Sequence, residues 1–209
     1  MKIKIVSILL SIIVIFSFIS KIKAESFTFA ALGDIGARSA STRSLQVIKD
    51  KNLNFTLAIG DMSYNDVTPE SAWCNYIKNI VGATHPFEIV AGNHEDDGKM
   101  NGYIMNFATC LPDRLSSVGI YGAEYYFDYP ANNPIARFIL VSAAMKVAGV
   151  NYSYSKGSGP YTKLSNWIDD ARNKNIKWVV VGTHKNCITV GSKPCEIGED
   201  FMNLLTEKK

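Results

Sequence analysis

Residues 55–64 read Phe-Thr-Leu-Ala-Ile-Gly-Asp-Met-Ser-Tyr, a short apolar run that ends in a glycine and then a carboxylate. A run of this length, bounded by a turn residue, predicts a buried strand over 55–59. The same grammar recurs three times. Residues 27–32 run into Gly33-Asp34, residues 87–91 into Gly92-Asn93-His94, and residues 177–181 into Gly182-Thr183-His184. Asp34, Asp61, Asn93 and His184 thus each follow a predicted strand by a residue or a few. In open α/β sheets, ligands gather at that carboxyl edge. Glycine lets the chain turn there and lets a charged group approach the backbone.

Between these runs the period changes to that of a helix. Residues 41–51 place Leu45 and Ile48 three apart, predicting a helix. After Thr68 as cap and Pro69 as first helical residue, Ala72, Trp73, Tyr76, Ile77 and Ile80 form one apolar face before Gly82. Pro160 opens another helix, with Leu164, Trp167, Ile168 and Ala171 facing inward. Residues 125–129 and 136–141 read as a strand pair. Strands alternating with amphipathic stretches define an α/β chain. The stretch 151–159 is polar and tyrosine-rich, the composition of a surface loop. His85, before Pro86, stands in no motif and reads as a turn or core histidine.

The first residues follow a different logic. Lys2 and Lys4 precede an apolar run over 5–19 broken only by serine, and Ala24 offers a small residue for cleavage. The run is shorter than the roughly 20 residues a membrane span needs, so residues 1–24 read as a secretory signal peptide. The mature chain, 25–209, is expected to be one domain, secreted or held in the secretory lumen, with no stable membrane partner. Without the signal's four lysines the formal charge falls from +3 to −1, which removes any argument for a nucleic-acid partner. Four cysteines, Cys74, Cys110, Cys187 and Cys195, suggest two disulfides in an oxidising compartment. Three connectivities exist, and local spacing favours Cys74–Cys110 with Cys187–Cys195. Asn54 and Asn151 open glycosylation sequons; Asn151 is the better acceptor, because Asn54 runs directly into a predicted strand.

Carboxylates, a carboxamide and an imidazole at neighbouring strand ends suit a two-metal phosphoester site. Two ions about 3.5–4 Å apart clamp the attacking and leaving oxygens of an in-line displacement. Their mutual repulsion demands an anionic bridge, which a strand-end carboxylate can supply. The blocks Gly33-Asp34-Ile35-Gly36, Gly60-Asp61-Met62-Ser63-Tyr64, Gly92-Asn93-His94-Glu95 and Val181-Gly182-Thr183-His184 resemble four of five blocks of the calcineurin-like metallophosphoesterases. Tyr64, three residues after Asp61, is similar to the metal-binding tyrosine of the purple acid phosphatase branch. Gly36, where many other branches carry a histidine, agrees with that branch.

The resemblance implies a two-sheet β-sandwich flanked by helices. It implies a dinuclear centre of Fe(III) and a divalent Fe, Zn or Mn ion. Asp34 and Tyr64 would bind the ferric ion, Asp61 would bridge, and Asn93 and His184 would bind the divalent ion. His94 would orient substrate or protonate the leaving alkoxide. The implied activity is acid phosphatase hydrolysis of small phosphomonoesters by a metal-bound hydroxide at acidic pH.

One block of the family pattern, a Gly-His-x-His loop, has no counterpart. The histidines are His85, His94 and His184, and none is followed by another two residues later. The expectation is therefore a fold whose C-terminal part is missing, leaving three protein ligands for each metal and an exposed sheet edge. Three alternatives remain beside the acid phosphatase. They are a phosphodiesterase of the same family, a secreted fragment that binds metal or phosphate without turnover, and a structural domain with coincidental motifs.

Overall fold

The computed structural model describes residues 26–208. The signal-peptide reading over 1–24 lies outside the described residues. Strands β1 (Phe29–Leu32), β2 (Phe55–Ile59) and β3 (Phe87–Val90) form a parallel sheet in the order β1-β2-β3. The helix between β1 and β2, α1, is Ser39–Asp50, and the one between β2 and β3, α2, is Glu70–Val81. A second sheet has the order β4-β5-β6-β9, from Val118–Ile120, Glu124–Tyr129, Ala136–Val141 and Trp178–Thr183. In it β5 and β6 are antiparallel, whereas β6 and β9 run parallel, joined through helix α4 (Gly159–Asn173). A parallel return needs such a crossover, because a tight turn can only reverse the chain.

The two sheets stack face to face, and side-chain alternation shows how. On β6, Ala136, Phe138 and Leu140 join Phe55 and Leu57 of β2 in an aromatic-rich layer between the sheets. Ring centroids of Phe55 and Phe138 lie 5.1 Å apart, nearly perpendicular, the edge-to-face contact that aromatic quadrupoles prefer. The intervening residues Ile139 and Val141 face outward with Leu164 and Ile168 of α4, and Ala58 and Ile89 face outward with Leu45 and Ile77 of α1 and α2. The order of layers is helix, sheet, sheet, helix, a β-sandwich flanked by helices.

Several boundaries differ from the sequence expectation. Pro69 is itself the cap of α2, not its first helical residue, and no side chain caps the helix end. Ser158 caps α4 by accepting from the Tyr161 N–H at 3.2 Å. Four further pieces have weak periodicity in sequence: β4, the β7/β8 hairpin (Lys146–Val147, Val150–Asn151), α3 (Ile104–Cys110) and α5 (Glu199–Glu207). The tyrosine-rich stretch is a loop exposed at Asn151, Ser155, Lys156, Gly157 and Gly159, but its two tyrosines turn inward. Tyr152 and Tyr154 are 1% exposed, with Tyr154 donating to Glu124 Oε1 at 2.7 Å and packing on Phe201 of α5. Its serines and glycines sit outward while the tyrosines fill the gap between α5 and β5, a period of two that composition alone conceals.

Two disulfides are present. Cys74 of α2 bonds to Cys110 of α3, and Cys187 bonds to Cys195 in the loop after β9. Among the described residues no helix is long and apolar enough to cross a membrane.

Candidate metal centre

All four Gly-polar blocks leave strands at the same end of the sandwich. The loop after β1 is zipped to the loop after β2 by backbone bonds from Asp34 N to Gly60 O (3.1 Å), Ile35 N to Asp61 O (2.8 Å) and Gly36 N to Met62 O (2.7 Å). The Trp73 indole of α2 donates to Gly36 O at 2.8 Å and holds this double loop from behind. Asp34 and Asp61 both have φ of 54° and Tyr64 has 50°. Left-handed backbone at non-glycine residues is costly and concentrates at functional sites.

Two glycines permit the close approach of the loops. A Cβ on Gly60, whose φ is +79°, would lie 2.6 Å from the His184 ring. A Cβ on Gly92 would lie 2.1 Å from Asp61 Oδ1. Both positions therefore exclude any side chain.

Asp61 is the hub. Its side chain is 4% exposed and its two oxygens face different neighbours. Oδ2 accepts from the Tyr64 hydroxyl at 2.7 Å and lies 3.5 Å from His94 Nε2. Oδ1 accepts from His94 N at 3.1 Å and lies 3.3 Å from His184 Nε2. The Tyr64 hydroxyl is also 2.6 Å from Asp34 Oδ1, and His184 Nε2 is 3.2 Å from Asn93 Oδ1. One carboxylate thus joins an oxygen-rich side, Asp34 and Tyr64, to a mixed side, Asn93 and His184. Donor atoms of Asp34, Asp61 and His184 all lie within 4.8 Å of one another.

The electrostatics follow from these contacts. Burial alone would raise the Asp61 carboxyl, but the bonds to His184 and Tyr64 outweigh it and hold the group down at about 2. Burial first, and then the Asp34 and Asp61 carboxylates, push the Tyr64 phenol well above its ordinary range. Burial would lower His184, yet the Asp61 carboxylate raises it. His184 Nδ1 faces Ile59 O at 3.0 Å, so it donates there and turns Nε2 toward Asp61 and Asn93. His94 Nδ1 is bonded to Asn101 Oδ1, and its ring lies against Tyr64 with centroids 4.6 Å apart.

Glu95 escaped the sequence reading as a site residue. It is fully buried and gathers three backbone N–H groups: Met62 at 2.7 Å, Asp61 at 2.9 Å and Gly92 at 3.3 Å. Burial pushes its carboxyl up to about 7 against the pull of those donors. It ties the Asp61 loop to the Asn93 loop. Its only sequence signal is its place directly after Asn93-His94. His85 stands apart from the centre, half-buried, with Nε2 2.9 Å from Thr56 Oγ1. Asn54 and Asn151 are both exposed, and Asn54 Oδ1 accepts from Thr28 N at 2.8 Å.

The donor set is two carboxylates, a phenol, a carboxamide oxygen and an imidazole nitrogen. It fits hard and borderline cations, with the oxygen-rich side suited to the harder ion. The phenol hydrogen of Tyr64 sits between two carboxylates, a concentration of negative potential that favours a cation.

The fold and this centre define a metallophosphoesterase. The calcineurin-like phosphoesterase family matches residues 27–205, and the chain belongs to that family, whose members hydrolyse phosphoesters with metal ions. Among relatives, purple acid phosphatase 21 of Arabidopsis thaliana is 24% identical over 175 residues. That match covers 81% of this chain and 37% of the relative, so the chain spans little over a third of that protein's length. A dimetal phosphatase from Danio rerio shares the fold with a TM-score of 0.54 at 14% identity, covering 87% of this chain and 77% of that one.

Proposed function

We propose that this chain carries the centre of a secreted acid phosphatase of the purple type, hydrolysing small phosphomonoesters. The observation that supports it most is the division of Asp61, with Oδ2 on Tyr64 and Oδ1 toward His184. In this reading Asp34, Tyr64 and Asp61 hold Fe(III), and Asp61, Asn93 and His184 hold a divalent Fe, Zn or Mn ion. When bound, the metals supply Lewis-acid polarisation of the phosphoryl group and a water nucleophile active near neutral pH. The protein residues do the rest. Asp61 keeps the two donor groups in register, and Glu95 keeps the Asp61 loop in place. His184 is fixed in orientation by Ile59 O. His94, on the Asp61 side of the cluster, is placed to donate a proton to the departing alkoxide, a step worth about 10²–10⁴-fold. Two cystines and the exposed Asn151 fit an oxidising, secretory location.

A second reading, a fragment that binds metal or phosphate without turnover, draws on the donor count. Among the described residues each side of the centre gathers three protein ligands. The two readings part on one experiment. The chain is loaded with iron and zinc, and p-nitrophenyl phosphate hydrolysis is followed in acidic buffer before and after chelation. Turnover that chelation stops and Asp61→Ala abolishes supports the phosphatase. Metal binding without turnover supports the fragment. Tyr64→Phe separately removes the visible absorption of an iron-loaded purple centre while Asp61 is intact; unchanged absorption would sink the assignment of Tyr64 to iron.

A further inference from the structure

A cavity of about 330 Å³ opens beside the centre, walled by Asp34, Gly36, Arg38, Ser41, Tyr64 and Asp66. It shares two walls, Asp34 and Tyr64, with the donor cluster, so it adjoins any phosphoryl group held there. The lining mixes charged and apolar groups, and its charges are already partly committed. Asp66 Oδ2 accepts from Ala37 N at 3.0 Å and lies 3.3 Å from Arg38 Nε. The Ser41 hydroxyl donates to Ile35 O. Arg38 is the single cation of the lining, and its side chain is 79% exposed. Asp66 meets the guanidinium only at Nε, so the outer edge of the fork, which reads phosphate and carboxylate, is not engaged by this contact and is open to solvent.

We propose that this cavity receives a second anionic group of the substrate, with Arg38 as its partner. The preferred substrates are then small phosphomonoesters that carry another phosphate or carboxylate a few bonds away. The inference rests on the phosphatase reading and deepens it. A volume at the small end of ligand pockets suits a compact diacid. An anionic leaving group gains a charge-assisted pair with Arg38 that a neutral one does not.

The test is binding to the metal-loaded full chain, which does not depend on turnover. Inorganic phosphate is compared by calorimetry with bisphosphonates whose phosphonates are separated by one, two or three methylenes. In wild type at least one bisphosphonate binds more tightly than phosphate. Arg38→Gln weakens that bisphosphonate about tenfold more than it weakens phosphate. Arg38 is largely exposed, so the variant folds, and an unchanged melting temperature confirms it. Equal losses for phosphate and bisphosphonate, or no loss for either, overturn the role of Arg38 while leaving the phosphatase reading standing. Absence of phosphate binding by the metal-loaded wild type overturns that reading and this inference with it.

Discussion

Buried carboxylates show how the same residue type is put to opposite uses within one sheet. Asp61 on the loop after β2 is surrounded by donors, and they hold it ionised despite burial. Glu88 on β3 is equally buried but poorly matched. Its Oε1 accepts from Arg114 N at 3.1 Å, and its Oε2 meets no partner among the described residues. Burial first, and then the nearby Asp113 carboxylate, push it up to about 8 from an ordinary 4.5. Between about pH 4.5 and pH 8 the folded chain therefore keeps a proton that the unfolded chain releases. Stability falls as pH rises through that window, by on the order of a few kcal/mol. Urea midpoints taken at the two ends of the window should differ in wild type and differ less in Glu88→Gln, the remainder coming in part from Glu95, whose carboxyl is raised to about 7. Parallel pH dependence in the two proteins would show that Glu88 is not the group responsible.

At the scale of elements, the centre depends on how α2 and α3 are held. Trp73 of α2 is fully buried, packs edge-on against Phe107 of α3 at 5.4 Å, and reaches Gly36 O. Glu70 at the start of α2 accepts from Asn106 Nδ2 at 3.0 Å. The α3 segment spans only seven residues, too short to be stable alone, so its helicity comes from this packing and from its covalent tie. Cys74–Cys110 closes a loop of 36 residues, and Cys187–Cys195 one of 8. Loop-closure entropy then makes the first cross-link worth about 3.8 kcal/mol and the second about 2.5 kcal/mol. Replacing Cys74 and Cys110 together by alanine should lower the denaturation midpoint more than replacing Cys187 and Cys195. The reverse order would mean that the loop after β9 contributes more than its length predicts. On the opposite face, Arg137 of β6 is fully buried and forks onto Asp128 at 2.6 and 2.7 Å while reaching Asp170 of α4 at 2.7 Å. That pair of ion contacts locks the crossover helix to its sheet.

At the scale of the molecule, the sandwich is closed on one side and open on the other. Among the described residues β1 and β9 are the outer strands of their sheets, and between them lies an apolar groove of about 340 Å³ that includes Phe27, Phe29, Phe138, Trp178 and Val180. Phe29 is 38% exposed and Trp178 60%. Two unpaired strand edges flanking exposed aromatic surface are a known route to self-association. Light scattering should rise as the chain is concentrated, and Trp178→Lys should suppress the rise without lowering the melting temperature. A variant that scatters as strongly as wild type would place the sticky surface elsewhere.

Strand runs that end in glycine and a polar residue, the face of α2 and the α4 pattern were readable from sequence because each depends on neighbours within a turn or a pleat. The bounds of β2 and β6 fall where hydrophobicity alone places them. The layers also follow, since alternate residues of β6 must bury on two sides. Short elements did not follow, because α3, α5 and β4 owe their form to partners far along the chain. The same limit governs the centre. Its residues could be named one by one, but that His184 reaches Ile59 O, 125 positions away, is decided by the parallel pairing of β6 with β9 and the stacking of the two sheets. That Glu95 knits two loops, that the tyrosines after Asn151 point inward, and that Arg38 faces a cavity beside Asp34 are likewise tertiary facts. Local sequence sets which conformations each segment can adopt at low cost; only packing sets which atoms from separate segments come within a hydrogen bond of one another.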